Sequence, residues 1–356
     1  MEQAPVFPKR GDVEATAERL RPWLADRLGV ADIEIDDLSY PKGAGVSNET
    51  ILFRARDGRT VDHLVLRIAP GAEHQMFYDP RFRVQYDIVV ALRRHGTVRV
   101  PDVLWLEDDP AVLGRPFYLM RRMRGNVPVS MPVYNSTGWL VDATPAQRRT
   151  LWTDAVHQLA AIHRVPTDVV SFVDRPEDGA TGDEQQLTYW RNFAAWALED
   201  EVPETILQLF GWLDDNRPRD PVAGLSWGDA RMGNIMFDDN FRVVGVMDWE
   251  QVSLAGPVAD LAWWLMFDEA HSHGVGVPRL AGLGTRDETI ELWEELTGLP
   301  SGDLPWHEAF ASLKAGLLSL RSRRMRHQLP STEHERFSFL RRACEMTGVA
   351  TQKELL

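Results

Sequence analysis

The hydrophobic period of this chain changes once, and that change limits the folds it can adopt. Over 33–38, 50–55, 63–68, 103–106 and 117–120, apolar residues come in short strand-like runs. A period of two buries one face of a strand. Asp57-Gly58 joins the second and third runs as a hairpin turn. Pro41-Lys42-Gly43-Ala44-Gly45 reads as a further turn. An amphipathic helix is expected before the strands, over 13–28, with Ala17, Leu20, Leu24 and Leu28 on one face. A second helix, over 81–95, follows the third strand. After Gly125 the texture becomes helical. Thr144-Pro145 starts a long periodic stretch to His163. Residues 185–213 are helical with a break at Pro203. Two short strands fall near 234–237 and 242–247, and helices are expected over 257–269, 286–297, 305–327 and 331–346. The expectation is an α+β chain with a small sheet-rich lobe over 1–127 and a larger, mostly helical lobe over 128–356.

Composition narrows the function classes. The 356 residues are 44% apolar and 26% charged, which is ordinary for a folded globular chain and not for a disordered one. Cys344 is the one cysteine, so an intrachain disulfide and a cysteine-built zinc or iron–sulfur site are excluded. The first residues, MEQAPVFPKRGD, lack the apolar core of a secretory signal. The most apolar run, 258–267, is too short for a membrane span and contains Asp260. A soluble cytoplasmic protein with no membrane partner is expected. Residues 1–127 carry 19 Lys+Arg and 19 Asp+Glu, whereas 128–356 carry 20 and 34, the source of the net charge of −14. That acidity disfavours nucleic acid as a partner. It either steers a cationic ligand or solvates exposed helices.

Four common chemistries are read as unmatched, the first of them the Gly-x-Ser-x-Gly nucleophile elbow of the α/β-hydrolases. No Gly-Lys-Ser/Thr phosphate loop occurs, and Gly43-Ala44-Gly45 lacks a third glycine at the dinucleotide spacing. His307-Glu308 has no second histidine at the zinc-protease spacing, and His271 and His273 read as loop residues.

The informative run is Trp227-Gly228-Asp229-Ala230-Arg231-Met232-Gly233-Asn234, with Asp248-Trp249-Glu250 after an apolar strand. Phosphoryl transfer needs a carboxylate to take the acceptor's proton. It also needs a divalent cation to neutralise the phosphates. Magnesium favours oxygen ligands such as a carboxylate and an amide oxygen. Asp229, four intervening residues, Asn234 and then Asp248 supply those groups. Asp-x4-Asn alone is a weak signal; its joint occurrence with Asp248 behind an apolar strand is far less common.

These residues resemble the catalytic signature of the aminoglycoside phosphotransferase and choline kinase superfamily, whose fold is similar to that of protein kinases. The resemblance covers about residues 30–270. Most members have a histidine two residues before the catalytic aspartate, where this chain has Trp227. The resemblance implies a bilobal kinase-like fold, with an antiparallel-sheet N-lobe. It implies transfer of the γ-phosphoryl of ATP or GTP, with Mg2+, to a hydroxyl of a small acceptor. That acceptor would be an aminoglycoside-like molecule or another alcohol, a cationic one where the acidic half steers it. By the same resemblance Asp229 is the catalytic base, and Asn234 and Asp248 are the magnesium ligands. Lys42, Gly43, Gly45, Ser47 and Asn48 belong to the phosphate-covering loop. Met120, Arg121 and Met123 belong to the adenine hinge within 117–123. Asp260 is the buried aspartate behind the catalytic loop, and His163 is structural.

Two positions depart from the family pattern. Arg67 stands where the phosphate-contacting lysine is usual. Gln85 stands where its acidic partner is usual, with Asp87 the nearest acid, so an Arg–Gln hydrogen bond could replace the ion pair. The alternation of 64–68 leaves open which way Arg67 points. These departures motivate an alternative, a non-catalytic nucleotide-binding regulatory member of the same fold. A protein kinase is disfavoured: Asp-Phe-Gly and Ala-Pro-Glu are absent, and Pro257 follows nine positions after Asp248, too close for a long activation loop.

Overall fold

The structure is a computed structural model that describes residues 12–41, 47–325 and 338–350. The chain forms two compact units. One is Met1–Val90 with Pro101–Met123, and the other is Ala91–Val100 with Arg124–Leu356.

The first unit contains α1 (Val13–Leu28), β1 (Glu34–Ser39), β2 (Glu49–Arg56), β3 (Val61–Ile68), the start of α2 (Phe82–His95), β4 (Val103–Glu107) and β5 (Phe117–Arg121). All strand pairs are antiparallel, in the order β1-β2-β3-β5-β4. The hairpin forms because the Asp57 carboxylate accepts from the backbone N–H groups of Arg59 (2.8 Å) and Thr60 (2.7 Å). Alternation then sorts the side chains. Leu64, Leu66 and Ile68 pack with Ile51, Phe53, Phe117 and Leu119 on the face that Leu20 and Leu24 of α1 cover. The opposite face presents Tyr118 and Met120 to Phe82 and Tyr86 of α2. Asp12 caps α1 at its start, and Gly29 closes it in the left-handed region.

The second unit is helical apart from one small hairpin. Its elements are α3 (Trp139–Asp142), α4 (Pro145–His163), α5 (Gly182–Ala197), α6 (Glu204–Asp215), β6 (Ile235–Phe237), β7 (Val243–Val246), α7 (Pro257–Ala270), α8 (Arg286–Thr297), α9 (Leu304–Met325) and α10 (Phe339–Thr347). Three helices start with capping boxes: Thr144/Gln147, Thr181/Glu184 and Thr285/Glu288. The stretch expected over 185–213 is two helices, separated at 198–203, where Glu199 and Asp200 take positive φ. The last helix begins at Phe339, later than the expected 331, because Ser338 supplies the cap; 331–337 lie outside the described residues. α9 is the buried centre, with Ala309, Phe310, Leu313 and Leu317 almost wholly enclosed. Its Glu308 takes both guanidinium nitrogens of Arg286 at 2.7 Å, and Arg342 of α10 at 3.2 Å. No helix among the described residues is long and apolar enough to cross a membrane.

Asp183, in the first turn of α5, is 2% exposed. Burial pushes its carboxyl up to about 7 from 3.8, partly offset by Arg217. An acid whose folded value is raised costs stability above that value and costs nothing below its unfolded one. Asp183→Asn is therefore expected to raise the melting temperature at pH 8 by about 2 °C or more. The gain should fade as the pH approaches 4, as differential scanning calorimetry across pH would show.

Candidate active site

The turn that carries Asp229 is organised around one buried carboxylate. Asp260, in the first turn of α7, is fully enclosed. Its Oδ1 accepts from Ser226 Oγ (2.8 Å) and the Gly228 N–H (2.8 Å), and its Oδ2 from the Trp227 N–H (2.6 Å). His163 Nε2 lies 3.0 Å from the same Oδ2. Trp293 Nε1, which can only donate, reaches His163 Nδ1 at 2.8 Å. The imidazole proton is thereby placed on Nε2, facing Asp260. Both side chains are buried, and Asp260 accepts the hydrogen bonds of the turn behind Asp229, as expected of a buried aspartate there.

Gly228 follows with φ +92°, and a Cβ there would lie 2.2 Å from the Gln251 carbonyl oxygen. Only glycine fits that turn, and it aims Asp229 inward. Asp229 then accepts four contacts. Arg231 Nε donates to Oδ1 (3.0 Å) and Oδ2 (3.1 Å), Trp263 Nε1 to Oδ1 (2.8 Å), and Asn234 Nδ2 to Oδ2 (2.6 Å). Asn234 is held in turn, because the Met247 N–H donates to its carbonyl at 2.9 Å. β6 and β7 pair Ile235 with Val246, so the strand ends deliver Asp248 beside Asn234 in sequence register. Asp248 itself sits at φ +64°, an uncommon conformation for a residue with a side chain. Trp227 ties the two ends together: its indole N–H points at the carbonyls of Met247 (2.9 Å) and Asp248 (3.1 Å).

The sequence reading missed several members of this site. Arg231 is flagged only by its place between Asp229 and Asn234. Its Nη1 also donates to Ser130 Oγ at 2.8 Å, which has no local sequence signal. Trp263 stands one helical turn beyond Asp260, so both face the same loop. The run Gly224-Leu225-Ser226-Trp227-Gly228 does have the spacing of a serine nucleophile elbow, so the reading that the chain lacks one was wrong. The structure excludes that role. Ser226 is 2% exposed and gives its proton to Asp260, and the nearby His163 faces the carboxylate instead of the hydroxyl.

A small pocket beside Arg231 is lined by Tyr134, Met232, Trp264, Phe267, Asp268 and His271. Burial raises Asp268 to about 6 against the pull of its ion-pair partner Arg279. Burial, and then the Arg231 charge, lowers His271 to about 4. His271 is a buried residue at the end of α7 and not an exposed loop ligand.

The expected nucleotide-contacting residues belong to the first unit. Lys42, Gly43 and Gly45 lie outside the described residues. Ser47 is half-buried. Asn48 is buried and donates to Gln85 Oε1 at 3.0 Å, while Gln85 Nε2 donates to the Pro80 carbonyl at 2.8 Å. Gln85 thus fastens Asn48, just before β2, to α2. Arg67 lies cross-strand from Thr50 and Tyr118, on the α2 face of the sheet. That settles the direction the alternation left open. β5 is interior, so the Met120 backbone lies within the ladder. The Arg121 N–H donates to the Asp102 carbonyl and the Arg122 N–H to that of His63, both at 2.8 Å. The Arg121 side chain pairs with Asp62 (2.5 Å) and Asp102 (3.4 Å). Met123 is the first residue past these bonds.

Truncating Asp260 leaves the Trp227 and Gly228 N–H groups and His163 without their acceptor. Asp260→Ala should cost about 3 kcal/mol or more. Trp293→Phe, which removes one donor from His163, should cost about 1 kcal/mol. Urea denaturation followed by tryptophan fluorescence and circular dichroism would check both values and their order.

Residues 41–299 match the model of the APH phosphotransferase enzyme family. The Arabidopsis thaliana protein named "Probable acyl-CoA dehydrogenase IBR3" is 27% identical over 273 residues, covering 75% of this chain and 31% of that protein. The chain thus spans about a third of the length of that curated relative. Among solved structures, a Ralstonia eutropha protein provisionally named an aminoglycoside phosphotransferase superposes with a TM-score of 0.66 at 23% identity, covering 94% of this chain and 96% of that one. The ADP-bound aminoglycoside phosphotransferase APH(2'')-Ib superposes with a TM-score of 0.54 at 13% identity, covering 94% and 97%. The fold is therefore that of the kinase-like phosphotransferases, and the chain belongs to the phosphotransferase enzyme family.

Proposed function

We propose that the chain is a small-molecule kinase that moves the γ-phosphoryl of ATP or GTP to an alcohol hydroxyl, with Mg2+. The observation that carries this reading is the joint placement of Asp229, Asn234 and Asp248. Asn234 Nδ2 bonds Asp229 and the turn after β7 supplies Asp248. Asn234 turns its N–H2 toward Asp229, both to the carboxylate (2.6 Å) and to the backbone carbonyl (3.0 Å), so its amide oxygen faces the other way. That oxygen and the Asp248 carboxylate form an all-oxygen pair of the kind magnesium takes together with phosphate oxygens and water. When bound there, the cation would neutralise charge on the phosphates.

In this reading Asp229 accepts the proton of the acceptor hydroxyl. The hydroxyl oxygen forms its bond to the γ-phosphorus, the bond to the β,γ-bridging oxygen breaks, and the nucleoside diphosphate leaves with that electron pair. The four contacts on Asp229 fill its lone pairs. One must yield for the proton to arrive. Arg231 is that donor, because its Nε is shared between both oxygens at the longest distances of the set. In the first unit, Ser47, Asn48, Arg67 and Met123, with Lys42, Gly43 and Gly45, would hold the nucleotide, and Met120 and Arg121 would shape the hinge. The reading needs neither nucleic acid nor a membrane.

Two substitutions separate the roles. Asp229→Asn keeps the shape but cannot take a proton, so turnover should fall about 10²–10⁴-fold with magnesium–nucleotide binding little changed. Asp248→Asn should weaken that binding as well. In a thermal-shift assay, magnesium with ATP should stabilise wild type more than ATP with EDTA, by about 2.7 kcal/mol at ~100 times Kd. Equal shifts with and without metal, or near wild-type turnover of Asp229→Asn, would sink the assignment. Tight nucleotide binding without transfer to any alcohol would favour a non-catalytic regulatory role.

A further inference from the structure

Lys314, near the middle of α9, is 7% exposed, and no carboxylate comes within ion-pair distance of it among the described residues. Its ammonium instead faces three rings, with Nζ 4.9 Å from the Trp263 centroid, 5.4 Å from Phe310 and 5.8 Å from Trp190. Aromatic faces compensate a buried cation only in part. Burial lowers this lysine to about 8, with Asp260, Asp229 and Asp183 opposing the shift, so it carries its charge at neutral pH. The neighbouring His307 is also buried and held down to about 3 by burial and by Lys314, so it stays uncharged.

The place of this cation connects it to the chemistry. Trp263 meets the ammonium with its ring and gives its Nε1 proton to Asp229 at 2.8 Å. One indole therefore separates Lys314 from the proposed base. Asp229, Asp260 and Asp268 have donors in contact. Asp229 takes Arg231, Asp260 takes four donors, and Asp268 takes Arg279. Lys314, one indole away from the base, has no carboxylate in contact among the described residues.

Resting on the phosphotransferase reading, we infer that Lys314 recognises the acceptor, and that the acceptor is an alcohol whose second functional group is anionic, a carboxylate or a phosphate. The excess of acidic residues in 128–356 does not extend to this position. A polycationic aminosugar would meet an ammonium here instead of a free carboxylate. An anion would give the ammonium the charge-assisted contact that it lacks.

The test uses the whole chain with magnesium and ATP and reads diphosphate release. The probes are short ω-hydroxycarboxylates, the matching hydroxyalkyl phosphates, and the diols and amino alcohols of the same skeletons. One anionic series should exceed its diol and amino alcohol in kcat/KM by about tenfold or more, and which series does so identifies the anion. In Lys314→Met that advantage should fall to near unity, chiefly through KM. Lys314→Gln, a second variant that keeps a hydrogen-bond donor, should lose most of it too. Diols or amino alcohols used as well as the anionic alcohols would overturn the inference. So would an anionic preference that survives both substitutions, or failure of every anionic alcohol while magnesium–ATP still binds. Absence of any magnesium–ATP thermal shift would sink the phosphotransferase reading itself, and this inference with it.

Discussion

A carboxylate with no solvent contact orders the second unit. Asp260 faces a large desolvation penalty, which four hydrogen bonds offset. Its donors come from two separate segments, the Ser226–Gly228 turn and the end of α4 through His163, and Trp293 of α8 holds that histidine from behind. A turn that bends at a left-handed glycine has few backbone bonds of its own, so it needs an external acceptor to hold its N–H groups. Asp260 is that acceptor, and Asp229 inherits a fixed position from it. Trp263, on the next turn of the same helix, then fixes the Asp229 carboxylate directly.

The fold was legible wherever local pattern and tertiary environment agree. Alternation at 50–55 and 63–68 with Asp57-Gly58 between them specifies a hairpin because every cue there is short-range. The end of the chain was less legible. α10 starts where Ser338 can cap it, and periodicity alone does not mark a cap. Within the site, Asp229, Asn234 and Asp248 were readable because they lie on one loop and one hairpin. Ser130 on Arg231 spans 101 residues, and Trp293 on His163 spans 130, and no local spacing encodes such meetings.

Trp227 shows how a departure from the family pattern is absorbed. A histidine is usual there, and the indole supplies one donor that is directed at the carbonyls of Met247 and Asp248. The indole therefore links the turn of Asp229 to the turn of Asp248. Gln85 makes a comparable case in the first unit. The expected partner was Arg67, yet its carboxamide joins Asn48 to the Pro80 carbonyl. An amide can accept and donate at once, which a carboxylate cannot, so the position holds two backbone segments where an acid would hold one cation.

Net charge is a poor guide to the polarity of a buried site. The second half of the chain is acidic, and sequence arithmetic favours a cationic ligand on that ground. Most of those acids either face solvent, where salt screens them, or are tied to an arginine. What a bound molecule meets is set by the few groups that lie beyond screening and lack a partner in contact. The Asp229 carboxylate has four donor contacts, while the ammonium of Lys314 has ring faces and no carboxylate in contact among the described residues. In the inferred acceptor site the charge that matters is the one buried ammonium, whose sign is opposite to the net charge. This follows from burial, since a charge in a low-dielectric interior acts over short range with far greater strength than a larger number of charges in water.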